Sequence, residues 1–273
     1  MGRRGDEDAD EDLHEPIAAR IFARLMDEAR RVGGGLFDLV LPPVCTACRK
    51  PVERAHALCG DCWSGLRQIE RPYCERLGIP FGYDIGPGAL SASAIADPPV
   101  FDRARAAVLY EGAACELVRA LKYRDRTEAA RLVGRMTARA GREILGDADL
   151  LVPMPLHRNR LWVRTFNQAA LMAFEIGRAT GLPVDTAALM RIRATRPQVG
   201  LAEAERQANV RGAFRVPASR KAAVAGRRVV LVDDVLTTGA TASAATRALK
   251  RAGAVRVDVL TFARVAPGGP LAI

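Results

Sequence analysis

One run of thirteen residues constrains the fold of this chain more than any other: Val229-Val230-Leu231-Val232-Asp233-Asp234-Val235-Leu236-Thr237-Thr238-Gly239-Ala240-Thr241. Its first four residues read as a short apolar strand buried on both faces, as in a parallel sheet. Two adjacent acids follow at the carboxyl end of that strand, where open α/β sheets bind ligands. A Thr/Gly turn comes next, and then a helix begins. Gly239 lets the backbone approach a ligand closely. The exposed N–H groups of the turn and the hydroxyls of Thr237, Thr238 and Thr241 form an anion cradle at the helix N-terminus. Asp233 and Asp234 would repel a phosphate; they suit sugar hydroxyls and, indirectly, a Mg2+ ion. No Gly-Lys-Ser/Thr follows the turn, so this is not a P-loop. The bland alternative is an acidic pair on a solvated strand end.

The chain around this run alternates strands with helices. Helical periodicity covers about 115–145, and the strand Leu150-Leu151-Val152 ends at Pro153. A helix is expected over about 167–181, a strand over 189–192, a polar segment over 196–212, a helix over 241–251 and a strand over 255–262. Such alternation predicts an α/β fold with a mostly parallel sheet and helices on both faces. No internal repeat stands out.

Upstream, Cys45-x2-Cys48 and Cys59-x2-Cys62 form two CxxC pairs ten residues apart. Each pair fits a tight knuckle presenting two thiolates to one ion, and four sulfurs match closed, structural, tetrahedral Zn2+. A redox pair would sit at a strand-to-helix junction, which this turn-rich segment lacks. Closed coordination leaves no open position for catalysis. Cys74 has no nearby cysteine partner, and Cys115 falls in a helical pattern as a small buried hydrophobe.

These features divide the chain into an acidic head with an amphipathic helix (1–35), a four-cysteine module (36–80), a Gly/Pro/Ser-rich linker (81–100), the α/β domain (101–266) and a tail (267–273). A length of 273 residues suits one or two domains at ~150 residues each. No apolar stretch approaches the ~18 residues of a membrane span, and the basic start runs into acids and not into an apolar signal segment. Zinc-bound cysteines also fit a reducing compartment, so the expected location is the cytoplasm, without membrane insertion.

Charge is unevenly spread. Residues 1–15 set Arg3 and Arg4 against seven acids, while the remainder holds 39 basic and 24 acidic residues, a net +15. A body this basic either favours anionic partners, phosphorylated small molecules or nucleic acid, or is a solvated Arg-rich surface.

The thirteen-residue run resembles the phosphoribosyl pyrophosphate (PRPP) signature of type I phosphoribosyltransferases. Leu121-Lys122-Tyr123-Arg124, Val152-Pro153-Met154-Pro155-Leu156-His157, Phe166-Asn167-Gln168 and Gln198-Val199-Gly200-Leu201 follow in order. Glu205-Arg206, Asn209-Val210 and Gly212-Ala213-Phe214 complete a set similar to the ComF family, competence-associated phosphoribosyltransferase-like proteins with a zinc-ribbon-like module in front. The resemblance implies that Asp233 and Asp234 hold ribose, and that Thr237, Thr238, Gly239, Ala240 and Thr241 hold the 5-phosphate. It implies that Arg158, Arg160 or Arg164 faces the pyrophosphate, and that Arg206 and Asn209 lie on a catalytic hood loop. Mg2+ would accompany PRPP, and structural Zn2+ would occupy Cys45, Cys48, Cys59 and Cys62. The sequence departs from the family at Thr165, where a Gly is usual, and at Leu77, which breaks a further CxxC pattern. His157 is either a proton carrier or a hydrogen-bonded structural histidine.

Two functions follow. One is an Mg2+-dependent phosphoribosyltransferase acting on a nitrogenous acceptor and linked by family to DNA uptake. The other is a non-catalytic accessory that binds single-stranded DNA or a DNA-uptake helicase and uses the PRPP pocket as a sensor or phosphate clamp. A low aromatic content (5%) argues against an extensive base-stacking groove.

Overall fold

A computed structural model describes residues 43–121, 127–156, 166–193 and 210–266. The acidic head, the amphipathic helix, Lys122 to Arg124, His157 to Thr165, the polar segment 196–209 and the tail lie outside the described residues.

Four parallel strands form the main sheet: β1 (Ala104–Leu109), β2 (Leu150–Pro153), β5 (Arg228–Leu236) and β6 (Arg256–Arg264), in the order β1-β6-β5-β2. Helices follow the strands as parallel pairing requires: α3 (Ala113–Ala120), α4 (Thr127–Ala140) and α5 (Arg142–Gly146) after β1, α6 (Gln168–Thr180) after β2, and α8 (Ala240–Arg251) after β5. Alternation along β5 fills both faces. Val230 and Val232 pack with Leu117, Val133, Met172 and Ile176 of α3, α4 and α6. Val229 and Leu231 pack with Ala245, Ala248 and Leu249 of α8. Covering both faces buries apolar side chains of either parity, so the strand reads as a continuous hydrophobic run.

Helix α6 starts where Asn167 accepts the Ala169 N–H (3.0 Å) and stops at the left-handed Gly181, a capped start and a glycine stop. The long helical stretch expected over 115–145 contains separate helices: α3, α4 and α5. Strand β1 was not foreseen. Its alanines carry little β signal, yet all six residues are buried, including Arg105. The strand expected at 189–192 forms as β3 (Met190–Arg191) but does not join the parallel sheet. It pairs antiparallel with β4 (Phe214–Arg215), and α7 (Lys221–Val224) leads from there to β5.

The cysteine-rich segment docks on the edge of β1. Ile69 donates its N–H to Ala107 O (2.9 Å), Leu109 donates to Arg67 O (2.8 Å), and Gln68 bridges Val108. That segment covers the outer edge of β1, an edge that would otherwise expose unpaired backbone groups. Two short helices belong to this region, α1 (Gly60–Ser64) and α2 (Ala92–Ala96). Residues 81–100, expected as a linker, therefore contain α2. None of the described helices is long and apolar enough to cross a membrane.

Candidate functional site

Strand β5 runs out of the core at Asp233 and Asp234, both half-buried. Strand alternation sends the two side chains to opposite faces of the sheet. Asp233 takes the α8 side with Val229 and Leu231, and Asp234 takes the α3 side with Val230 and Val232. Each carboxylate is oriented by its neighbour's backbone: Asp233 Oδ1 accepts the Asp234 N–H (2.9 Å), and Asp234 Oδ1 accepts the Val235 N–H (2.8 Å). Burial holds the Asp233 carboxyl well above the usual range; the Asp234 charge adds to this, and the opposite charge of Arg191 draws it back.

The loop after β5 turns at Gly239, whose φ of +81° suits glycine. A Cβ there would also stand 3.3 Å from Phe101 Cε1. Gly239 and Ala240 are buried, Thr237 and Thr241 half-buried, and Thr238 exposed. Thr238 Oγ1 accepts the Ala240 N–H at 3.5 Å, and Gly239 O accepts the Ser243 N–H at 2.8 Å as α8 begins. The structure thus brings together the acidic pair and the Thr/Gly loop in the strand–turn–helix order read from the sequence.

Other elements end at the same edge. The strand β2 continues to Met154, which donates its N–H to Val232 O, and Asn167 Nδ2 donates to Met154 O (3.0 Å). Asn167 therefore ties the end of β2 to the start of α6, on either side of the segment that carries Arg158, Arg160 and Arg164. Those arginines, Arg206 and Asn209 all lie outside the described residues. Two neighbours of the acidic pair were missed in the sequence. Arg191 of β3 lies 5.5 Å from the Phe214 ring centroid and faces the charge of Asp233. Tyr110, just past β1, has its phenol pushed up by burial and by the nearby Cys115 and Asp234. Cys115 is half-exposed in the first turn of α3, not a buried core residue, and burial raises its thiol. No local motif marks either neighbour, because the fold alone brings them to β5.

The second site is the cysteine cluster. The sulfurs of Cys45, Cys48, Cys59 and Cys62 all lie within 4.8 Å of one another, with Cys48 and Cys59 3.6 Å apart. Thiolates ~2.3 Å from a central ion stand about 3.8 Å apart at the corners of a tetrahedron, so the four donors fit one Zn2+. Burial works against the Cys45 thiolate, but N–H bonds from Cys59, Cys48 and Ala47 outweigh it and bring the thiol down to about 6. The Cys59 N–H reaches Cys45 Sγ at 3.3 Å.

Family models match the chain in two places: a double zinc ribbon domain over residues 36–94 and a phosphoribosyl transferase domain over residues 179–269. The DNA utilization protein YhgH of Salmonella typhi is 32% identical over 232 residues, covering 83% of this chain and 99% of that protein. The chain belongs to the ComF family. Competence protein F of Haemophilus influenzae is 27% identical, covering 81% of this chain and 96% of its own length. A solved B. subtilis glutamine PRPP amidotransferase matches 48% of this chain and 25% of that one at 26% identity, with a TM-score of 0.33. This ComF-family chain thus joins a phosphoribosyltransferase-type parallel sheet to a zinc-ribbon module.

Proposed function

We propose that this protein binds PRPP with Mg2+ at the carboxyl edge of β5 and transfers the phosphoribosyl group to a nitrogenous acceptor. The observation that carries the reading is the Asp233–Asp234 pair set directly before the Gly239 turn and the start of α8. In the reaction, the bond from the ribose C1′ to the pyrophosphate oxygen breaks, and a bond from C1′ to the acceptor nitrogen forms. Asp233 and Asp234 accept hydrogen bonds from the ribose hydroxyls and stabilise the positive charge that develops on the sugar. Thr237 to Thr241 hold the 5-phosphate on N–H and hydroxyl donors. Arg158, Arg160 or Arg164 takes the pyrophosphate, and the segment with Arg206 and Asn209 excludes water over it. The negative charge of Asp233 and Asp234 beside the ribose suits, indirectly, the Mg2+ that accompanies PRPP. When bound, that ion supplies positive charge to the leaving pyrophosphate.

The names of the relatives, DNA utilization protein and Competence protein F, support a role for this activity in DNA uptake. A second reading rests on the net +15 of residues 16–273. In it, the chain is an accessory to single-stranded DNA or a helicase, with the PRPP pocket as a sensor. Calorimetric titration with PRPP and Mg2+, followed by a screen for pyrophosphate release with candidate bases, separates the two. The transferase reading expects binding and release. Binding without release, together with oligonucleotide affinity that falls steeply from ~50 to ~200 mM salt, would favour the accessory. No PRPP binding would overturn both.

A further inference from the structure

The cysteine-rich region contains a structural repeat whose second copy has a cysteine at only one of the four ligand positions. In the first copy, Cys45 donates its N–H to Lys50 O (2.7 Å), Arg49 to Cys45 O (3.0 Å) and Val52 to Pro43 O (2.9 Å). In the second, Cys74 donates to Ile79 O (2.8 Å), Gly78 to Cys74 O (2.7 Å) and Phe81 to Pro72 O (2.9 Å). Arg49 and Gly78 take the same left-handed conformation, φ +67° and +64°. Val44 bridges Pro51 as Tyr73 bridges Pro80. The second knuckles correspond as well: Thr46 donates to Ala57 O as Glu75 donates to Ala89 O, and α1 is matched by α2. Cys74, Leu77, Ser91 and Ala94 therefore stand where Cys45, Cys48, Cys59 and Cys62 stand.

These four do not fit a zinc ion, which takes four sulfur, nitrogen or carboxylate donors in a structural site. Leu77 and Ala94 offer none. Leu77 packs against the core on the α8 side of the sheet, and Ala94 is buried. Ser91 turns its hydroxyl inward to Cys74 Sγ (3.4 Å) and adds its N–H at 3.2 Å, while Leu77 donates a third bond at 3.4 Å. In the first copy the Cys59 N–H makes the equivalent bond to Cys45 Sγ.

What replaces the ion lies outside the knuckle. Arg105 Nη1 donates to Glu75 O (2.8 Å), the Ala104 N–H to Arg76 O (2.8 Å), and Arg264 Nη1 to Leu77 O (2.7 Å). Three successive carbonyls of the second knuckle are thus held by β1 and β6. Both arginines are almost fully buried. Arg105 also pairs with Glu75 Oε2 (2.6 Å) and stacks 4.5 Å from the Tyr73 ring centroid, with Arg71 at 4.9 Å from the same ring. A Cβ at Gly78 would stand 2.5 Å from Ala104 O, so only glycine lets the knuckle sit this close to β1. Burial lowers the Arg264 guanidinium to about 10, with the nearby Cys74 acting in the opposite direction. Burial works against the Cys74 thiolate, but the Ser91 hydroxyl and the N–H groups of Ser91, Leu77 and Arg76 outweigh it and lower the thiol.

We propose that this double ribbon carries one zinc ion and not two, its second half being a metal-free knuckle organised by Cys74 within and clamped by Arg105 and Arg264 of the transferase domain. The ribbon is then held by its metal at one end and by arginines of the transferase domain at the other.

Hydrogen exchange on the full chain before and after zinc chelation tests this. Protection at the Cys45, Arg49 and Val52 amides should fall by ~100-fold or more, while Cys74, Gly78 and Phe81 should change by less than ~3-fold. Loss of protection at both knuckles together would overturn the proposal, as would two zinc ions per wild-type chain. Restoring the ligands in a Leu77→Cys/Ser91→Cys/Ala94→Cys variant should raise zinc from one to two per chain. A folded variant still holding one would refute the assignment of those positions. In Arg264→Met, with protection of the β5 amides as the control for folding, protection at Cys74 and Gly78 should fall while zinc stays at one per chain. Undiminished protection there would remove the clamp.

Discussion

The four-cysteine knuckle and the edge of β5 gather charge by opposite means. At the knuckle, every donor comes from one short stretch of chain, and the geometry closes around a single ion. At the edge, a strand supplies two acids, a turn supplies the N–H groups, and Arg191 and Tyr110 arrive from distant strands. The closed site takes its ligands only from its own loops. The open one needs the whole sheet. Damage to the first should therefore stay local, whereas the second should respond to changes in charge as well as in shape.

The largest effect is expected where the comparison is sharpest. Replacing Cys59 and Cys62 by Ser leaves two of four ligands, and structural zinc is worth on the order of 10 kcal/mol of apparent binding free energy. Metal analysis should find about one zinc per wild-type chain and essentially none in the variant. PRPP affinity should stay within roughly threefold, because the knuckle places no side chain at the acidic pair or the Gly239 turn, although Cys45 and Ala47 share a core cluster with Val230 and Val232; this bound is an order-of-magnitude allowance for separate sites. A parallel collapse of PRPP binding would show that the two regions act as one.

A smaller effect is expected at the open site. Asp233→Asn/Asp234→Asn keeps size and much of the hydrogen bonding and removes two charges. A charge-assisted hydrogen bond is worth ~1.5–3 kcal/mol, so PRPP affinity should fall by roughly 10- to 150-fold, and transfer should be lost. Zinc content should not change. Equal affinities at equal Mg2+ would detach the acidic pair from ribose.

The same contrast decided what the sequence made legible. Residues 229–241 and the two CxxC pairs are contiguous, so spacing alone exposes strand, turn, helix and ligand set. Strand β1 escaped because Ala104-Arg105-Ala106-Ala107 has helix-forming composition and a charge at its centre, and only the long-range partners of Arg105 make that charge tolerable. The second knuckle was legible only as a CxxC broken at Leu77, because its repeat is one of backbone geometry. Its other ligand positions hold no cysteine, and the Gly/Pro-rich stretch before Ser91 shifts the spacing, so Cys74 looked solitary where its sulfur accepts three hydrogen bonds. Arg191 and Tyr110 carry no local signal for a site completed only when the fold brings β3 and the end of β1 to the edge where β5 ends.

The smallest expected effect tests whether the open site is held at a cost to stability. Desolvation, and then the Asp234 charge, hold the Asp233 carboxyl above its ordinary range in the folded chain. Below pH ~4 folded and unfolded chains are both protonated there, and the residue is neutral in the balance. As pH rises past that point the unfolded chain releases its proton first and the folded chain retains it. The folded state then binds more protons, and stability declines with pH until the folded group ionises as well. Asp233→Asn removes this decline while its side-chain oxygen can still accept the Asp234 N–H. Without ligand, the variant should match the wild type near pH ~4 and gain on it toward neutral pH. Asp233 keeps part of its surface accessible, so water screens the cost, and the gain should be the smallest of the three effects. Saturating PRPP and Mg2+ should reverse the order, since only the wild type then has a partner for its charge. A difference that ignored pH would mean that the Asp233 carboxylate is no more strained in the folded chain than in the unfolded one, and that the edge of β5 is as self-sufficient as the cysteine knuckle.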